Sequence, residues 1–174
     1  ENKNLGVEYE SYGLTGKNAM LLNESLNNFA ILHDESFLIK KHRLVKSDEE
    51  IKYIKKAAEL GDEALEKAWE LSHPGAEESD ILSAMQGAIF SGGGDYPGNE
   101  FIIGSGSEAL LCRYFTGRRK LDPIDQLTLE FAGVYRHYHS ALMRTIPIGK
   151  VRKEHLELHK ICLEALDACE SKLK

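Results

Sequence analysis

Apolar residues recur at every third or fourth position along three stretches of the chain, and this spacing is typical of amphipathic helices. The longest stretch covers residues 47–71, where a Ser-x-x-Glu capping box marks the start and a Pro-Gly pair follows the end. A second helix is predicted from Ser79 to the glycine-rich loop 91–98, and a last helix over 154–173. Each of these helices has an apolar face to bury.

Short apolar runs bounded by turn residues predict strands between these helices. The strands are predicted, in chain order, at 5–7, 29–32, 101–103, 127–131 and 135–144. A further helix is predicted over 14–26, and the segment 37–45 indicates a strand or an extended linker that ends in a basic cluster. This mixed order of elements predicts an α+β fold.

Composition narrows the class of protein. With 174 residues and 42% hydrophobic residues, the chain is long enough for a real core. No apolar run approaches the ~20 residues of a membrane span, and the polar, acidic N-terminus does not resemble a signal peptide. A net charge of −6 argues against nucleic acid as a partner. Three cysteines without CxxC spacing favour a reducing, cytoplasmic setting, with Cys162 and Cys169 expected in the core.

The segment 127–145, which reads LTLEFAGVYRHYHSALMRT, carries the most information about chemistry. It resembles the pair of strands that hold two aspartate metal ligands in the pita-bread hydrolases, the superfamily of aminopeptidase P, prolidase, methionine aminopeptidase and creatinase. When Arg144-Thr145 is taken as the anchor, the two aspartates fall on Glu130 and Ala141, with the family's eleven-residue spacing. Glu130 keeps a donor atom, whereas Ala141 has none.

The resemblance extends over nearly all of the chain and implies its organisation. Residues 1–45 resemble the end of the N-terminal domain of the creatinase and aminopeptidase P branch. Residues 46–174 resemble the first half of the pita-bread catalytic domain, in which helices cover one face of an antiparallel sheet. The resemblance implies that a second half, which supplies a histidine and two glutamates in the family, is lacking here. It also implies a parent protein that is a homodimer.

Creatinase is the metal-independent member of the group, and its strand is similar to residues 138–145 here, including the alanine at 141. The creatinase glutamate that meets the guanidinium group falls on Met143, and the family's catalytic histidine falls on Arg113. The resemblance thus implies a hydrolase of a C–N bond, amide or amidine, in a small or dipeptide-like molecule, without metal or other cofactor. Arg113, with its fixed charge and forked donors, suits a substrate carboxylate.

Two histidines stand on the last predicted strand, His137 and His139, on the same face as Ala141 and Met143. A neutral imidazole near Glu130 would be able to transfer protons, so Glu130 and His139 are candidate catalytic residues. Arg113, Met143 and His137 are candidate substrate-binding residues. The alternative is that the histidines are bonded to backbone or solvent and have a structural role.

Two other interpretations stay open at this point. A metal-less, dipeptidase-like module would bind or act as a scaffold without catalysis, so the sequence leaves enzyme activity undecided. The run 104–109 also fits the G-x-G-x-x-A outline of a dinucleotide fingerprint, which requires a βαβ unit. The basic run 118–120 indicates a solvated turn, and Tyr114 with Phe115 is too small a set for a nucleic-acid stacking surface.

Overall fold

A computed structural model describes residues 3–111, 113 and 116–173. The chain divides into two units, and the boundary falls between Glu49 and Glu50. The first unit contains β1 (Lys3–Val7), α1 (Gly16–Leu26), β2 (Ala30–Asp34) and α2 (Leu38–Leu44). β1 and β2 pair in parallel, with α1 as the connection between them. Thr15 caps α1, because its hydroxyl accepts a hydrogen bond from the amide of Asn18 at 3.3 Å.

Helix α2 corrects one prediction from the sequence. Residues 37–45 were expected to form a strand or an extended linker, and they form a helix from Leu38 to Leu44. Five of the seven helical residues are leucine, lysine or arginine, all strong helix formers, and glycine and proline are absent from the segment. Intrinsic propensity therefore explains the helix in a segment that was expected to be extended.

The second unit contains two long helices, a three-stranded sheet and a final helix. Its elements are α3 (Asp48–Leu71), α4 (Glu78–Ser91), β3 (Ile102–Ser105), β4 (Asp125–Tyr135), β5 (Tyr138–Ile148) and α5 (Lys153–Glu170). A short 3₁₀ helix, Gly106–Leu111, follows β3. The sheet is antiparallel with the order β3-β4-β5, so the two strands that carry Glu130 and Ala141 are paired neighbours, as predicted.

The core lies between one face of this sheet and helices α3 and α4. Alternate residues of β4 point into it, and Leu127, Leu129 and Phe131 are buried. The helices contribute apolar residues at helical spacing, among them Leu60 and Ala64 of α3 with Ile81, Met85 and Ile89 of α4. The opposite face of the sheet is thereby left for polar groups.

Gly133 brings β4 against the backbone of α3. A Cβ at this position would overlap the carbonyl oxygen of Ala57 and lie 2.5 Å from the amide nitrogen of Gly61. Only a residue without a side chain permits this approach of strand to helix. The contact fixes the distance between the sheet and the helix that covers it.

A two-residue turn joins β4 to β5. Tyr135 pairs with Tyr138, and the two residues between them, Arg136 and His137, have φ angles of 50° and 66°. This left-handed pair is the geometry of a type I′ hairpin. The prediction that His137 lies on a strand and shares a face with Met143 is therefore wrong, because the hairpin reverses at this residue.

Helix α5 has no buried residue among those described. Its apolar side chains are exposed, including Leu156, Leu158, Ile161 and Leu166. The expectation that this helix packs on the sheet is wrong for this chain, and so is the expectation that Cys162 and Cys169 lie in the core, since both are exposed. None of the helices in the described residues has the length and apolar character that crossing a bilayer requires.

Candidate functional site

The outer face of the sheet, opposite the core, carries the residues that the sequence singled out. Glu130 of β4 pairs with Met143 of β5 on one side and with Ile102 of β3 on the other. Two and four residues further along, Ala132 pairs with Ala141 and Val134 pairs with His139. Because side chains alternate along a strand, these pairs share one face.

Charged side chains meet at one end of this face. The guanidinium of Arg113 lies 3.2 Å from a carboxylate oxygen of Glu100 and 4.0 Å from one of Glu130. The Arg113 and Glu130 side chains are both 47% exposed, so solvent reaches the pair. Met143 is 64% exposed beside them. The structure thus brings together Glu130, Arg113 and Met143, and it adds Glu100, which the sequence alone did not indicate.

His139 lies at the other end of the face, and both of its ring nitrogens are bonded to backbone groups. Its Nε2 accepts a hydrogen bond from the amide of Gly98 at 2.8 Å, and its Nδ1 lies 2.9 Å from the carbonyl oxygen of His137. A carbonyl oxygen can only accept, so Nδ1 carries the proton and the imidazole is neutral. This is the structural alternative that the sequence left open for the histidine.

Glu130 and His139 are not close enough to act on one atom. The register places His139 opposite Val134, four residues beyond Glu130 along β4. At a rise of about 3.3 Å per residue, the separation along the strand is roughly 13 Å. The role of His139 as a catalytic group stays a prediction that this geometry does not favour.

The residues around Glu130 do not fit a site for the metal that the resemblance brings to mind. Ala141 offers no donor atom, and the guanidinium of Arg113 occupies the space beside the Glu130 carboxylate. A cation placed there would be repelled by the guanidinium, and a hard divalent ion needs several oxygen ligands. In the described part of the chain, no three His, Cys, Asp or Glu side chains form a group that could hold a metal ion.

A polar network, most of it enclosed, lies between the start of α4, the end of β3 and the start of β4, and the sequence did not reveal it. Glu78 is fully buried at the start of α4 and accepts hydrogen bonds from the Ser105 hydroxyl at 2.7 Å and from the amides of Arg118 and Arg119 at 3.1 Å. The Arg119 guanidinium donates to Ser105 at 2.7 Å and to the carboxylate of Asp125. Arg119 was expected in a solvated turn, and this expectation is wrong.

The carboxylate of Asp125 is held ionised by this network. Burial raises the pKa of Asp125, but the bond from Arg119 and the bonds from the backbone amides of Asp122 and Gln126 outweigh burial and lower it. Arg119 in turn has a raised pKa, chiefly because of its bond to Asp125. The ion pair therefore ties the end of β3, through Ser105, to the beginning of β4.

The run 104–109 does not form a dinucleotide site. β3 pairs with β4 in antiparallel fashion, so these two strands do not form the parallel βαβ unit that the motif requires. The dinucleotide interpretation is therefore wrong. Tyr114, Phe115 and Cys112 lie outside the described residues.

Comparison with known proteins gives the relationship of the chain. A family model described as metallopeptidase family M24 matches residues 52–174. The Xaa-Pro dipeptidase of Pyrococcus horikoshii is 30% identical over 128 residues, which is 74% of this chain and 36% of that protein. The uncharacterized peptidase YqhT of Bacillus subtilis is 26% identical over 165 residues, or 90% of this chain and 47% of that protein.

Solved structures share the architecture. The Xaa-Pro dipeptidase from Bacillus anthracis superposes with a TM-score of 0.81 and 29% identity, covering 94% of this chain and 45% of that one. The prolidase from Pyrococcus horikoshii superposes with a TM-score of 0.82 and 27% identity, covering 95% and 47%. The α+β fold predicted from the sequence is confirmed. The chain spans less than half the length of each of these relatives.

Proposed function

Because the chain belongs to metallopeptidase family M24, we propose that it forms one part of a hydrolase site for a C–N bond in a dipeptide-like or other small molecule. The observation that supports the proposal is the pairing of a half-exposed guanidinium with a half-exposed carboxylate, Arg113 with Glu130, on the open face of the sheet. Relatives named as Xaa-Pro dipeptidases have substrates that end in a carboxylate, so the charge of Arg113 suits that class.

Each of the two side chains has a separate task in this proposal. Arg113 grips the anionic end of the substrate through its forked N–H donors and exchanges its contacts with Glu100 and Glu130 for that carboxylate. Glu130 is then released beside the scissile bond, where it transfers the proton between the attacking water and the leaving nitrogen. Met143, paired with Glu130 across the strands, supplies an apolar surface for the substrate.

The proposed reaction is independent of metal. A positive guanidinium stands where a cation would have to bind, and the second ligand position of the family is an alanine here. Calorimetric titration of the unchanged protein with Mn²⁺, Co²⁺ and Zn²⁺ should detect no binding beyond that seen with the Glu130→Gln variant. Glu157→Gln, on the exposed helix α5, is the matched control. A dinuclear site between residues 130 and 141 would contradict the proposal.

The catalytic part is tested in a full-length protein that contains this chain. We expect Glu130→Gln to lower turnover of Xaa-Pro dipeptides, creatine or another small amide by at least about tenfold, since a positioned acid–base group contributes typically 10²–10⁴-fold. Glu157→Gln, with an exposed side chain paired to Lys153, should leave turnover unchanged. Both variants are assayed by amine release, with and without a chelator.

The second candidate function is a binding or scaffold module without catalysis. It is favoured by the way the polar groups of the face engage one another: Glu100 and Glu130 flank Arg113, and both nitrogens of His139 are bonded to backbone. If Glu130→Gln is as active as the unchanged protein, or if no C–N substrate is turned over, this second function replaces the first.

A further inference from the structure

The segment between α4 and β3 crosses the tip of the β4–β5 hairpin and is held there by three hydrogen bonds. The amide of Asp95 donates to the carbonyl of Val134 at 3.1 Å, and the carboxylate of Asp95 accepts from the amide of His137 at 3.1 Å. The third bond runs from the amide of Gly98 to the His139 ring at 2.8 Å. The first two bonds hold the start of the segment, and the third holds Gly98 in its second half, where the Glu100 carboxylate also accepts a hydrogen bond from Arg113.

Much of the remaining segment, before Phe101, is exposed to solvent. Tyr96 packs against Phe90 with ring centroids 4.8 Å apart, but it is 80% exposed. The chain becomes buried again only at Phe101. Glu100 stands between these two points, two residues beyond Gly98, and its carboxylate contacts Arg113 at 3.2 Å. The position of Glu100 therefore depends on the anchors on either side of it, the buried Phe101 and the bonded Gly98.

We propose that His139 is a positioning residue whose neutral imidazole clasps Gly98 to the hairpin and thereby sets where Glu100 meets Arg113. The imidazole joins two backbone groups, because Nδ1–H donates to the His137 carbonyl while Nε2 accepts from Gly98. His139 thus acts on the Arg113–Glu130 pair from about 13 Å away, through the segment 98–100. The use of that pair in substrate binding rests on the proposed function, whereas the clasp itself does not.

Nuclear magnetic resonance on the 174-residue chain tests this proposal. The ring ¹⁵N spectrum of His139 should show a protonated Nδ1 and an Nε2 that accepts a hydrogen bond. His139→Phe, which keeps the ring shape and loses the acceptor, should speed amide exchange at Gly98 by about fivefold or more, the factor expected when one net hydrogen bond is lost. It should also shift the side-chain Nε–H signal of Arg113.

His139→Gln is the rescue variant, because its amide oxygen can accept from Gly98 in place of Nε2. It should return the exchange rate of Gly98 and the Arg113 signal toward their original values. The amide of Leu129, in the middle of the sheet, should be unaffected in both variants and reports that the core is intact. His159→Phe, on the exposed helix α5, is the matched control.

Four outcomes would overturn the proposal. If exchange at Gly98 is unchanged in His139→Phe, the imidazole does not hold Gly98. A ring spectrum with the proton on Nε2 would show the same, because Nε2 could then not accept from Gly98. Faster exchange at Gly98 with an unchanged Arg113 signal would show that His139 does not influence the Arg113–Glu130 pair. Faster exchange at Leu129 as well would show that the substitution destabilises the whole sheet and not the clasp alone. None of these measurements uses turnover, so the results that would contradict the clasp differ from those that would contradict the proposed catalysis.

Discussion

At the scale of single residues, the enclosed carboxylate of Asp125 shows how this chain places a charge inside its second unit. Its side chain is 4% exposed, and the guanidinium of Arg119 and two backbone amides surround it. A carboxylate withdrawn from water in this way is tolerated only when its hydrogen bonds are complete. The same guanidinium also reaches Asp122, whose side chain is 61% exposed.

Asp125→Asn should lower the free energy of unfolding at pH 7 by at least about 2 kcal/mol, because Arg119 is left without its enclosed partner. Asp122→Asn is the control and should cost less than about 1 kcal/mol, as expected for an exposed ion pair. Urea unfolding of the two variants gives both values. Equal losses of unfolding free energy in the two variants would mean that the burial of Asp125 does not add to the strength of its ion pair.

The lowered pKa of Asp125 also fixes the direction of a pH effect. A folded-state pKa below the unfolded value, about 3.9, means that the stabilisation is complete above that value and is lost as the pH falls through the folded-state pKa. The difference in stability between the unchanged chain and Asp125→Asn should therefore narrow between pH 5 and pH 2. A difference that widens on acidification would contradict the assignment.

The residue scale also shows where sequence reasoning reached its limit. Glu130 and Arg113 were found by counting positions from an anchor, and the structure places them together. Arg119 was missed, because three consecutive basic residues are most often solvated and nothing local shows that one of them faces a buried glutamate 41 residues earlier. Long-range polar networks have no periodic signature in a single sequence.

At the scale of elements, the hairpin between β4 and β5 contains a local conflict between sequence and structure. Arg136 and His137 both adopt positive φ, a conformation in which asparagine and glycine are much preferred. Left-handed backbone costs a residue with a Cβ about 1 kcal/mol. The paired strands, each of 11 residues, hold the turn in this conformation against its own preference.

Replacement of Arg136-His137 by Asn-Gly should raise the free energy of unfolding by about 1 kcal/mol, because the new residues prefer the existing φ angles. The hydrogen bond to Asp95 is donated by the backbone of residue 137 and is retained. Thermal and urea unfolding measure the gain. Lys56→Gly, in the interior of α3, should instead lower stability by about 1 kcal/mol, and a loss in both variants would show that glycine is unfavourable regardless of φ.

Element types were predictable where periodicity was strong. Helix α3 extends from Asp48 to Leu71, close to the predicted 47–71, because its apolar residues keep the helical period over six turns. Helix α2 was mistaken for a strand because seven residues are too few for either period to stand out. His137 was placed on a strand because the turn lacks the asparagine and glycine that normally mark it.

At the scale of the whole molecule, the outer face of the sheet is open. Met143 is 64% exposed and Glu130 is half-exposed, so the described residues would contact a bound molecule from one side only. The chain spans less than half of each of the relatives described above. Catalysis depends on groups held on more than one side of the reacting atoms, in a site from which water is largely excluded.

The 174-residue chain by itself should therefore hydrolyse neither creatine nor Xaa-Pro dipeptides. The measurement is release of urea or proline by the purified chain, with a full-length Xaa-Pro dipeptidase as the positive control. Turnover by the chain that disappears in Glu130→Gln would show that one face is sufficient and would contradict this expectation.

The sequence predicted the fold class and the family, and both are confirmed, because the order of elements and the spacing in 127–145 extend over most of the chain. It did not predict that α5 would be exposed. An amphipathic pattern shows that a helix has an apolar face, but it does not show whether that face is covered within the same chain.

The length of the two-residue turn at Arg136 and His137 determines which side chains of β5 lie on the outer face of the sheet. Every residue of β5 is assigned to a side of the sheet by counting from this turn, since the side-chain period of a strand is two. A slip of β5 by one residue against β4 would move Met143 and Ala141 to the core side and carry Leu142 out to face the solvent. A residue added at the hairpin tip is therefore tolerated only where a wider turn absorbs it and keeps the register of β5, even though the side chains of the turn itself can be exchanged.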